Sequence, residues 1–68
     1  MKFKIGQTVY YPALINGGYY VCYATIDSFV GDMYREDYRL RQGGRSFVMN
    51  EYCLCATYDA AKIECDPR

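Results

Sequence analysis

The 68-residue chain has no histidine, no excess of either charge and no long apolar run, and each absence removes a class of function. Without histidine, the Ser-His-Asp and Cys-His arrangements of nucleophilic catalysis have no base. A cysteine nucleophile would need some other activator. Eight basic residues balance eight acidic ones. A general nucleic-acid binder carries a basic excess, and a mimic of nucleic acid an acidic one. No stretch approaches the roughly 18 apolar residues of a membrane-spanning helix. No apolar segment follows Met1-Lys2-Phe3-Lys4, as a secretory signal would require. The chain therefore reads as cytoplasmic, with its cysteines reduced.

The remaining chemical groups are poorly placed for catalysis or metal binding. Adjacent acids such as Glu36-Asp37 point opposite ways on an extended chain, which suits a solvated loop. Cys22, Cys53, Cys55 and Cys65 lack the knuckle spacing of a structural zinc site. Their one close pair, Cys53-x-Cys55, projects from one face of a strand. Gly17-Gly18 and Gly43-Gly44 have neither the Lys-Ser/Thr of a phosphate loop nor dinucleotide-binding spacing. No enzyme activity, no metal and no cofactor is expected.

What the chain has is aromatic and β-branched residues cut by tight turns. Nine tyrosines and three phenylalanines supply large packing area. A chain of this length forms one domain, residues 1–68, which buries only about 60% of its unfolded surface. Several tyrosines must therefore stay outside. Val9 through Tyr11 reads as a first strand that Pro12 ends. Asn16-Gly17-Gly18 is a turn. Tyr19 through Phe29 is the longest β-rich run, with Cys22, Ala24 and Ile26 inward and Tyr23 outward. A loop opened by Gly31-Asp32 carries Met33 to Asp37. In Tyr38 through Arg41, Tyr38 and Leu40 face in, and Arg39 and Arg41 face out. After the Gln42-Gly43-Gly44-Arg45 turn, Ser46 through Met49 forms a strand with Val48 in the core. Asn50-Glu51-Tyr52 is a tight turn, and Cys53 through Ala56 a last strand with Leu54 inward.

Thr57 then reads as an N-cap for a helix over about 58–65. Asp59 and Lys62 suit its dipole, Ala60 and Ile63 supply its packing face, and Pro67 limits it. The expected fold is mainly β: a small barrel of about five short antiparallel strands with a short C-terminal α-helix.

Tyrosine beside arginine is the composition of binding hot spots. Strand parity turns Tyr10 and Tyr23 outward, and Tyr34, Tyr52 and Tyr58 fall in loops or at an element start. Arg39 and Arg41 share an outer face, with Arg45 just past the turn and Arg35 in the preceding loop. Tyr10, Tyr23, Tyr34, Arg39, Arg41 and Arg45 are the expected partner-binding residues. Arginines that guard a solvated strand from edge pairing would also account for the basic ones.

The order Gly6-x-x-Val9-Tyr10-Tyr11, Ala24-Thr25-Ile26-Asp27-Ser28, Tyr38-Arg39-Leu40, Val48 and Leu54-x-Ala56-Thr57-x-x-Ala60 resembles small SH3-like barrel proteins of phages, prophages and mobile elements. The resemblance spans nearly the whole chain, but its motifs are turns, core positions and a cap. It implies no active site. Some small phage proteins of this size bind and block a host defence component such as a CRISPR effector. The function expected on these grounds is a non-catalytic protein-binding module, anti-CRISPR-like in action. The alternative is a small barrel that stacks nucleic-acid bases or a nucleotide on exposed aromatics while arginines hold phosphate. Open strand edges also allow a homodimer.

Overall fold

Two short turns organise the chain. Asn16 (φ 51°) and Gly17 (φ 83°) both take positive φ, which is the type I′ signature that matches the natural twist of a hairpin. Gly43 (φ 60°) opens the second turn, where only glycine takes that conformation without cost. In the computed structural model, which describes residues 2–31 and 36–65, these turns join four antiparallel strands. They are β1 (Thr8–Ile15), β2 (Gly18–Phe29), β3 (Asp37–Gln42) and β4 (Arg45–Asn50). Their spatial order is their chain order. A 3₁₀ turn (Glu51–Cys53) and the helix α1 (Tyr58–Cys65) follow. Tyr34, Arg35 and Pro67, which entered the expectations above, lie outside the described residues, as do Asp32 and Met33.

One face of the sheet holds the core. Val9 and Tyr11 from β1, Ala24 and Ile26 from β2, and Tyr38 and Leu40 from β3 are buried together with Phe3 and Leu54. Ala13, Cys22, Phe47 and Met49 pack against them at partial burial. The Tyr38 ring takes Phe3 edge-on at 5.6 Å and Phe29 at 5.5 Å. Its hydroxyl is satisfied as well: it donates to the Glu51 carboxylate (2.7 Å) and accepts from the Phe3 amide (3.3 Å). The same carboxylate accepts from the Lys2 amide at 2.9 Å. Glu51 thus ties the N-terminal segment to the central tyrosine of β3.

The other face of β1 and β2 carries α1. Ala61 is fully buried, yet it belongs to no part of the main core cluster. Tyr58 sets its ring edge-on against Tyr10, which points away from that core. The chain gets there around the edge of β1. Leu54 enters the core, Cys55 pairs with Tyr10 through two backbone bonds (2.9 and 2.7 Å), and α1 begins beyond. The Thr57 hydroxyl caps the helix by accepting from the Ala60 amide at 3.2 Å.

Several expectations are corrected. The sheet is open and four-stranded; of Cys53–Ala56, the intended fifth strand, Cys55 alone makes a β-bridge. Pro12 does not end β1. Tyr10 turns its amide toward Cys55 and away from β2, so by alternation the missing Pro12 donor also faces the outer edge, where no ladder bond is lost. Val48 is 48% exposed, and its neighbours Phe47 and Met49 face the core instead. The two-residue turn pairs Gln42 with Arg45, so Leu40 falls opposite Phe47 and Tyr38 opposite Met49. The packing face of α1 is centred on Ala61; Ala60 is exposed and Ile63 is 59% exposed.

Candidate functional site

Strand register decides which of the candidate residues can act together. Tyr10 lies opposite Tyr23, on the sheet face away from the core. Thr25 lies opposite Arg41 on that same face, and Arg39 lies opposite Val48. A β-bulge between Ile26 and Ser28 bends β2 here and brings the Asp27 carboxylate 3.8 Å from the Arg41 guanidinium. Both members of that ion pair are well exposed, so it adds little stability. The structure therefore brings Tyr10, Tyr23, Arg39 and Arg41 onto one surface. Tyr23 is 66% exposed, while Tyr10 is half-buried between Tyr23 (6.5 Å) and Tyr58 (6.3 Å).

Arg45 does not join them. It closes the turn opposite Gln42 and so shares the parity of Leu40 and Phe47, the core side of the sheet. There it stands near the Tyr11 hydroxyl. Burial raises the Tyr11 phenol above its ordinary value, while the hydrogen bond from Gln42 and the positive charge of Arg45 pull it back. Tyr34 lies outside the described residues.

Residues that the sequence reading passed over extend this surface. The Asn16-Gly17 turn pairs Ile15 with Gly18, which puts Leu14 opposite Tyr19 and Pro12 opposite Val21, all on the side of Tyr23. Leu14 is 62% exposed, and Tyr19 is similarly open. Counting back from the turn would have found both. Gln42 was also missed. Its side-chain amide donates to the Tyr11 hydroxyl (2.9 Å) and to the Tyr23 carbonyl (2.7 Å), holding the place where β2 and β3 part. A groove of about 380 Å³ opens there, lined by Tyr23, Ala24, Thr25, Arg41, Gln42 and Gly43.

Two other clusters carry chemical groups. A shallow groove of about 320 Å³ lies among Pro12, Met49, Tyr52, Cys53, Cys55 and Glu64. Cys22 and Cys53 are free thiols. Among the described residues, no three histidine, cysteine or acidic side chains come together as metal ligands. A protonated Glu36 carboxyl can donate to the Glu51 carboxylate, which raises Glu36 and holds Glu51 down at about 2. The Tyr38 hydroxyl also lowers Glu51, so the fixed negative charge sits on the carboxylate that binds the N-terminal segment. Burial and this carboxylate both raise Tyr38. The arrangement is a structural tie among groups already bonded to one another. Among the described residues, no helix is long and apolar enough to cross a membrane.

Compared with protein-family models, with curated proteins and with solved structures, the chain matches none.

Proposed function

We propose that the protein is a non-catalytic binding module that docks on another protein through the outer face of its sheet. One observation carries the reading. Tyr23, Tyr19 and Leu14 stand exposed on the face that also bears Arg39 and Arg41, although a chain this small needs its apolar area for its own core. Rigid tyrosines give contact area at low entropic cost, and arginine grips carboxylates with two parallel bonds. The surface therefore favours a partner with an apolar patch rimmed by acidic groups. The bent β2 and the Tyr10–Cys55 bridge support a barrel-like curl of the kind found in SH3-like proteins. On that resemblance, the partner class is a bacterial defence protein, and binding would block it.

Affinity purification from the native cell, run in parallel for wild type, Tyr23→Ala and Arg41→Ala, tests the reading. A protein should co-purify with wild type and be lost with both variants, while both variants keep the wild-type far-ultraviolet spectrum. Retention by both variants would remove this face from the proposal. A second reading, binding of nucleic acid or a nucleotide, draws on the groove that sets Tyr23 beside Arg41. It requires an affinity that falls steeply with salt; no binding at low salt would end it.

A further inference from the structure

Every charged residue lies before Ile5 or after Ile26. That neutral stretch includes the Gly18–Tyr23 half of β2. β3 joins β2 only from Thr25 onward, so on its β3 side the Gly18–Tyr23 segment has no strand beside it among the described residues. The direction of its free groups follows from the ladder. Tyr10 spends its amide and carbonyl on Cys55, away from β2, so its partner Tyr23 turns its own away from β1. Gln42 reaches the Tyr23 carbonyl from that side, standing in for one rung of an absent strand. By the same alternation, Tyr19 and Val21 present their N–H and C=O groups outward.

Natural sheets protect such an edge with charges, proline, a bulge or a covering segment. The bulge of β2 lies beyond this segment, and its side chains are all uncharged. Tyr19, Tyr20 and Tyr23 are each more than half exposed, so both faces of the free half-strand are apolar and open.

We propose that this edge pairs with the same edge of a second copy of the chain, antiparallel about a two-fold axis near Tyr20–Val21, so that one sheet continues through both molecules. An uncharged strand offers no group for an oppositely charged partner to select, and nothing on it repels its own copy. Turned back on itself, it sets tyrosine beside tyrosine and valine, the kind of aromatic cross-strand pair that Tyr10 and Tyr23 already form. The turn bordering the slot is Gly43-Gly44, which puts no side chain in the way. The zero net charge adds no long-range repulsion.

Sedimentation of the full chain over roughly 10 μM to 1 mM, a range suited to a small interface, tests this. The mass should climb from the 7.9 kDa of one chain toward twice that value, and the Tyr19 and Val21 amides should exchange more slowly as it does. Val21→Pro removes an outward donor opposite Pro12, where the ladder with β1 loses no bond, and should stay monomeric throughout. Tyr19→Lys, which leaves the backbone intact, should do the same and decides the matter if the proline variant does not fold. Val48→Lys, on the free edge of β4, should dimerise like wild type. A wild type that stays monomeric, a dimer that survives both Val21→Pro and Tyr19→Lys, or one that only Val48→Lys dissolves would each overturn the proposal.

Discussion

Around Ala24–Ile26, β2 is held on both sides. Thr8 and the Gly6–Gln7 backbone lie along one edge, with bonds of 2.8 and 2.9 Å to Ile26, and Arg41 and Leu40 lie along the other. From Gly18 to Tyr23 the same strand has, among the described residues, only β1 as a strand beside it. On the core face of that strand Ala24 and Ile26 are sealed, whereas Tyr20, on the same face of the other half, is open. Position in the sheet, rather than hydrophobicity, decides whether an apolar side chain builds the fold or is left for a partner. The small core explains the asymmetry. Once Phe3, Tyr38, Leu40 and Leu54 fill one end, no further element among the described residues covers the distal hairpin.

Substitutions should read out this difference. The largest effect is expected at the sealed end: Leu40→Ala should cost about 2–5 kcal/mol in urea denaturation, enough to leave so small a domain largely unfolded. A cost below about 1 kcal/mol would show that the two ends are not distinct. Tyr38→Phe should cost about 1–3 kcal/mol, because it removes the hydroxyl that joins the Phe3 amide to the Glu51 carboxylate.

That carboxylate also sets an acid limit. With its folded pKa lowered from 4.5 to about 2, Glu51 contributes stability that is full above about pH 4.5 and is lost as the pH falls toward 2. Glu36, raised, has the opposite sign: its contribution is full below its unfolded value and fades as the pH rises through its folded one. Glu51→Gln should therefore flatten the acid side of a stability–pH curve; an unchanged slope below pH 4.5 would refute the tie. The smallest effect is expected at the open end. Leu14→Ser should change stability by no more than about 0.5 kcal/mol, and a larger loss would mean that the distal hairpin is part of the core.

Much of this was legible because turns and alternation are local. Asn16-Gly17 and Gly43-Gly44 fall where the hairpins turn, and Tyr38, Leu40, Ala24 and Ile26 point inward as their parity requires. Val48 was misplaced because parity was judged on β4 alone, whereas the two-residue turn transmits it from β3 and selects Phe47 and Met49. Pro12 ended the expected first strand too early, since whether a missing amide matters depends on which edge it faces, and Cys55 decides that from across the chain. The same long reach hid Phe3, whose charged neighbours Lys2 and Lys4 gave no hint of the Tyr38 ring it meets. In the candidate site, Arg39, Arg41 and Tyr23 were found by alternation. The separation of Arg45 and the addition of Leu14 and Tyr19 depended on pairing between strands.

Strand order that copies chain order has a kinetic corollary. Each hairpin can zip from its own turn before the next exists, which keeps those steps quick. Two closures reach across most of the molecule: Lys2 to Glu51 and Tyr10 to Cys55. We expect these to form last and to open first, so that an early unfolding event releases both chain ends while the meander stays assembled. Pulsed hydrogen exchange would see the Lys2 and Cys55 amides gain protection after those of β2 and β3, and the reverse order would contradict this.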